Sequence, residues 1–175
     1  SFFQQQFNRY TNYVKIPEHI DIAENYNINT TNVINVILNK YEYDLLGSMC
    51  LYFELNTVIP NINDFILKIE FYISDILIDT ITPNIIELYN NIYNSNYKIY
   101  HLLSNYNSKN IYYIPLQFHF LKQKDKYIPL YLLTDEIISL KIFFNKPLNT
   151  NIIAQNIYLM GHYFILHRSA KQSTQ

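Results

Sequence analysis

Short apolar runs of four to ten residues alternate along this chain with breaks marked by Asn, Ser, Asp or Pro. That spacing predicts a β-sandwich or barrel rather than repeated β-α-β units. Period-two alternation is clear over residues 32–38, where Val33, Asn35 and Ile37 oppose Ile34, Val36 and Leu38. It recurs over 49–55, after a Gly47-Ser48 break, with Cys50, Tyr52 and Glu54 set against Leu51, Phe53 and Leu55. Each alternation implies a strand with one buried face and one wet face. Residues 65–73 continue the pattern, Ile66, Lys68 and Glu70 against Leu67, Ile69 and Phe71, and a Ser74-Asp75 turn leads into a short arm at 77–79. Further strands are expected at 13–16, 20–22, 112–120, 128–133, 137–144 and 157–166.

One stretch breaks the rhythm. In residues 82–93, Ile85, Ile86, Leu88, Tyr89 and Ile92 fall at helical spacing, behind Thr82 as N-cap and Pro83 at the first helical position. A single helix is predicted there, followed by a polar loop over 94–110. Pro115 and Pro129 remove ladder donors, so both are expected at sheet edges or strand starts. The expectation is therefore an all-β fold, an antiparallel eight-stranded sandwich with one short helix in an inter-strand loop. It places a single domain at 1–166, an N-terminal arm at 1–12 and a polar tail or linker at 167–175.

Composition sharpens this picture. The 175 residues include 18 Tyr and 11 Phe but only 15% charged side chains, too apolar for a disordered chain and rich in β-favouring types. Two Gly in the whole chain leave Asn to take over turns that need left-handed backbone angles. A net charge of -1 offers no basic field for phosphates, so direct nucleic-acid binding is not expected. The longest apolar stretch, 151–166, is interrupted by Gln155, Asn156 and His162, so no transmembrane segment is expected. Ser1-Phe2-Phe3-Gln4 shows neither an initiator Met nor a signal-peptide plan, which is read as a trimmed or excised chain.

Candidate chemistry is sparse. Gly47 and Gly161 are too far apart for a Gly-rich phosphate loop. The five histidines, His19, His101, His119, His162 and His167, show no metal-ligand spacing. Lone Cys50 allows no internal disulfide and is read as a small buried hydrophobe, in keeping with synthesis in a reducing compartment. Asp44 is read as fixing a turn by accepting backbone N–H bonds, and Asp79 as meeting solvent or a backbone donor. Lys122-Gln123-Lys124-Asp125-Lys126 is read as a solvated loop tip. No catalytic, cofactor-binding or metal site is expected, and the chain is read as not an enzyme.

The order of the blocks resembles a known family. Phe2-Phe3 with Phe7-Asn8-Arg9-Tyr10-Thr11-Asn12-Tyr13, then Tyr43-Asp44-Leu45-Leu46 before Leu51-Tyr52-Phe53-Glu54-Leu55, is similar to the major capsid proteins of nucleocytoplasmic large DNA viruses. Ile69-Glu70-Phe71-Tyr72-Ile73, Leu77-Ile78-Asp79 and Ile86-Glu87-Leu88-Tyr89 follow in that family's order. The most specific block is Tyr113-Ile114-Pro115-Leu116-Gln117-Phe118-His119-Phe120 followed by Ile128-Pro129-Leu130-Tyr131-Leu132-Leu133. Tyr163-Phe164-Ile165-Leu166 resembles the closing strand of the family's first jelly roll. The chain departs in having no Trp, with His119 where the family commonly has one, and in using Asn for several turn glycines.

The resemblance implies a jelly roll, the N-terminal one of a tandem pair, from a subunit that forms homotrimers. These would be pseudo-hexagonal capsomers tiling an icosahedral capsid, assembled in the host cytoplasm and localised to the virion. It implies partners among copies of the same chain, neighbouring capsomers and minor capsid proteins, and it marks Arg9, Asp44, Asp79, Pro115 and Pro129 as structural or assembly candidates. Arg9, on the N-terminal arm, would face the inner side of the shell. Two other readings stand beside it: a single-jelly-roll minor or vertex capsid protein, and a carbohydrate-binding jelly roll using Tyr97, Tyr100 and Tyr106.

Overall fold

The structure is a computed structural model, and it describes residues 13–27, 32–38, 41–56, 61–93, 102–104, 109–119, 127–145 and 153–166. Among the described residues ten antiparallel strands, where the sequence reading expected eight, run in chain order: β1 (Tyr13–Asn27), β2 (Val33–Ile37), β3 (Leu45–Leu55), β4 (Ile66–Ile73), β5 (Ile76–Ile81), β6 (Leu102–Ser104), β7 (Lys109–Leu116), β8 (Ile128–Pro129), β9 (Ile138–Phe144) and β10 (Ile153–Leu166). Helix α1 (Pro83–Tyr93) sits between β5 and β6, where the sequence placed its helix. The Thr82 carbonyl accepts the N–H groups of Ile85 and Ile86, closing the first turn behind Pro83.

Two sheets form. One has the order β1-β10-β3-β7-β6, with two-residue β8 joining β3 beyond the end of β7; the other has the order β2-β9-β4-β5. Neighbours in each sheet come from distant parts of the chain, first strand beside last and second beside ninth, which is the interleaved connectivity of a jelly roll. The sheets face each other across one apolar core. Leu51, Phe53, Tyr112, Ile114, Leu159 and Tyr163 from the larger sheet are all buried, as are Ile69, Phe71, Leu140 and Ile142 from the smaller.

Aromatic rings stitch the layers: Phe53 lies 5.2 Å from Tyr112 and 4.8 Å from Phe65, which meets Phe144 edge-on at 5.0 Å. Each large side chain removed from water in this way stabilises the fold by roughly 1.5–3 kcal/mol.

Several strand limits differ from the sequence reading, each for a physical reason. The expected strands at 13–16 and 20–22 are one strand, β1, because Pro17 lies on a sheet edge where its missing donor breaks no ladder. Gly47-Ser48 is no break. β3 runs through it, and Gly47 is needed there because a Cβ would stand 2.9 Å from the Phe164 ring. The polar loop predicted over 94–110 contains β6, whose backbone pairs with β7.

Residues 128–133 form two residues of strand and then a 3-10 turn at Leu130–Leu132. In β4 the predicted alternation slips by one. Ile66 and Lys68 face successive residues Phe144 and Phe143 of β9, so Leu67 is bulged outward at 52% exposure while Ile66 stays buried. The arm, N-terminal to residue 13, and the tail from 167 lie outside the described residues.

Candidate assembly surfaces

With the core closed, the outer faces of the two sheets are what the fold presents to other molecules. On the larger sheet, register brings Tyr52 of β3 directly opposite Tyr158 of β10, and the rings stack at 4.2 Å with planes 19° apart. His19 of β1 meets Tyr158 edge-on at 4.0 Å. The Tyr52 hydroxyl donates to Glu54 Oε1 at 3.2 Å. Burial, with the Glu54 charge beside it, pushes the Tyr52 phenol up to about 12.

The ladder is irregular beside this row. β10 carries an extra residue between Gln155 and Tyr158 relative to β3, and β1 carries one between Asp21 and Ala23 relative to β10. Asn156, at the bulge, has φ 48°, a left-handed angle that Asn adopts more readily than most residues. A cleft of about 570 Å³ opens there, lined by His19, Asp21, Tyr52, Glu54, Asn156 and Tyr158 among others.

The outer face of the smaller sheet carries a different lattice. Lys68 Nζ lies 2.6 Å from Glu70 Oε1 and 4.5 Å over the Phe143 ring, while the Tyr72 hydroxyl donates to Glu70 Oε2 at 2.8 Å. Lys141, cross-strand from Glu70, stands 4.2 Å over the Tyr72 ring. Burial works to raise the Glu70 carboxyl. The Lys68 and Tyr72 hydrogen bonds, with the charges of Lys68 and Lys141, outweigh it and hold the group below its ordinary range.

The residues singled out from sequence occupy separate places. Arg9 lies outside the described residues, as do Tyr97, Tyr100, Tyr106 and the lysine-rich stretch 122–126. Asp44 is buried at the start of β3. Its N–H donates to the Phe164 carbonyl at 2.9 Å, its Oδ2 accepts the Leu166 N–H at 2.7 Å, and its carbonyl accepts the Tyr131 N–H at 3.3 Å. Asp79 Oδ1 accepts the Thr80 N–H at 2.8 Å and Oδ2 accepts the His119 N–H, joining β5 to the segment after β7.

Pro115 pairs with Cys50 near the end of β7, past the point where β6 stops. Its missing donor therefore faces an edge with no strand neighbour among the described residues. Pro129 ends β8 opposite Leu45 and precedes the 3-10 turn, in a strand that pairs only with β3 among the described residues.

Of the four described candidates, Asp44 and Pro129 lie close together where β8 joins β3, and Asp79 and Pro115 lie on other strands. Among the described residues, no group of three or more His, Cys, Asp or Glu is placed to hold a metal ion. No helix among them is long and apolar enough to cross a membrane. The tyrosine row and the lysine lattice were not singled out from sequence, because both depend on which strands become neighbours. The available signal was that Tyr52, Glu54, Lys68 and Glu70 fall on alternate positions.

No family model and no curated protein matches this sequence. Solved structures do match. A quasi-atomic model of the PBCV-1 virus capsid superposes with a TM-score of 0.73 at 16% identity, over 99% of this chain. The crystal structure of PBCV-1 VP54, fitted into a reconstruction of the virophage Sputnik, gives a TM-score of 0.74 at the same identity and coverage. The fold is a jelly roll like the one in those structures. In both matches this chain spans 47% of the matched chain, so its jelly roll corresponds to about half of that capsid protein. At 16% identity the likeness is one of fold.

Proposed function

We propose that this chain is a structural subunit of an icosahedral virus shell, acting through surface complementarity with copies of itself. The observation that supports the reading best is the superposition of 99% of the chain on a capsid jelly roll. Residues 1–166 act as one jelly-roll unit, with the arm 1–12 and the tail 167–175 reaching to neighbours or to a second jelly roll. Subunits trimerise into pseudo-hexagonal capsomers, meet minor capsid proteins at the shell's inner side, and come together in the host cytoplasm before residing in the virion.

A two-sheet sandwich suits this work. Its core is closed by the two inner faces, so loops and outer faces vary without disturbing packing. Obligate assemblies use large apolar interfaces, and Ile37, Leu132 and Ile137 expose apolar surface that can enter them. The expected result is concentration-dependent trimerisation in sedimentation velocity. A chain that stays monomeric at every attainable concentration, or that takes up one glycan selectively in a binding screen, overturns the reading.

A further inference from the structure

Resting on that subunit reading, the structure assigns the contact by which one copy meets the next: we infer that the lysine-bearing outer face of the four-stranded sheet docks onto the acidic tyrosine cleft of the six-stranded sheet in a second copy.

The donor face is cationic where it can be reached. Lys68 and Lys141 flank Glu70, and Glu70 itself is 5% exposed beneath Lys68 and Tyr72, so the accessible charge belongs to the two ammonium groups. Both lysines already lie over aromatic rings, Phe143 and Tyr72, which gives the face a flat mixture of cation and ring. The receiving face carries the opposite charge. Asp21, its side chain 88% exposed and its Oδ1 3.5 Å from His19 Nε2, and Glu54 line a cleft built around the stacked Tyr52 and Tyr158 pair. Carboxylates beside tyrosine rings suit a lysine head, which gains both charge pairing and ring contact on leaving water.

The cleft volume of about 570 Å³ falls within the roughly 300–1,000 Å³ typical of ligand sites, ample for a lysine stem. A metal ion is a poorer occupant, since no three-ligand group exists among the described residues.

The two faces look outward from opposite sheets of one sandwich, so a single molecule cannot close the contact on itself. It is heterologous, and repeated contacts of that kind produce a ring or a chain. The occupant is a second copy because the same sequence carries both halves of the charge match.

Charge-reversal exchange tests the contact. One variant, Asp21→Lys with Glu54→Lys, makes the cleft cationic. The other, Lys68→Glu with Glu70→Lys and Lys141→Glu, inverts the lattice while preserving its internal ion pairs. Each variant alone is expected to self-associate about tenfold or more weakly in sedimentation velocity. An equimolar mixture recovers wild-type association, and salt weakens it. Asp21→Lys alone, at a highly exposed position, gives a smaller loss and guards against misfolding, with circular dichroism checking every variant. Variants that associate like wild type, or a mixture of folded variants that fails to recover, overturn this contact while leaving the subunit reading intact. A wild-type chain that never associates overturns both.

Discussion

Asp44 and Leu166, 122 residues apart, are joined by a 2.7 Å hydrogen bond from the Leu166 N–H to the Asp44 carboxylate. The bond fastens the last residue of β10 beside the first strand turn of β3, at a buried side chain. Asp44→Ala leaves the Leu166 donor without this acceptor, and is expected to cost about 1–3 kcal/mol in urea unfolding. Asp44→Asn retains an acceptor oxygen and loses less. Equal losses for the two variants would show that charge, and not the hydrogen bond, sets the effect.

Gly161 and Tyr163 make a second sensitive pair. A Cβ at position 161 would come within 2.7 Å of the Tyr163 ring, and that ring is wholly buried, so it has little room to yield. Gly161→Ala should destabilise by about 1–3 kcal/mol through overpacking. The Tyr163 hydroxyl is buried without a hydrogen-bond partner among the described residues, and burial raises its pKa. Tyr163→Phe removes that orphaned group while keeping the ring, and is expected to be neutral or stabilising. Thermal unfolding of the three proteins separates the effects.

The fold was legible where side chains report their own environment. Alternation in β2 and β3 marks which residues face the core, and the Thr82-Pro83 pair marks the start of α1, since both signals are local. The misreadings arose where the deciding fact is non-local. Gly47 reads as a break until Phe164 of β10 is placed against it, and Leu67 reads as inward until β9 fixes the bulge. Likewise Tyr52 and Tyr158 are 106 positions apart, and nothing short of the strand order makes them a stacked pair. Asp44 was legible as a backbone acceptor because a short acidic side chain beside a strand start has few other uses. Its partner was not.

Acid stability should depend on Glu70. Its folded pKa lies below the ordinary value of 4.5, so the folded state holds fewer protons than the unfolded chain as pH falls through that range. The stabilisation is therefore fully present above about pH 4.5 and is lost progressively as pH drops through the folded pKa. Urea midpoints measured from pH 7 downward should fall more steeply for wild type than for Glu70→Gln, which carries no titrating group. Lys68→Met should also flatten the wild-type slope, because it removes both a hydrogen bond and a charge that favour the carboxylate. Parallel pH profiles for wild type and Glu70→Gln would exclude the assignment.

Cys50 offers a clean chemical probe because it is the one cysteine in the chain. Burial on the outer side of β3 raises its thiol pKa above 9.0, and the hydrogen bond with Tyr113 works in the opposite direction. The thiolate is the reactive form, so reaction with a disulfide reagent near pH 8 should be slower than for an unhindered thiol. Tyr113→Phe removes the group that favours the thiolate. It should therefore move the midpoint of the rate-against-pH curve further up, even though the ring left behind covers the sulfur to much the same degree. A midpoint that stays in place or falls would mean that the Tyr113 hydroxyl does not act on the sulfur, and that burial alone governs its reactivity.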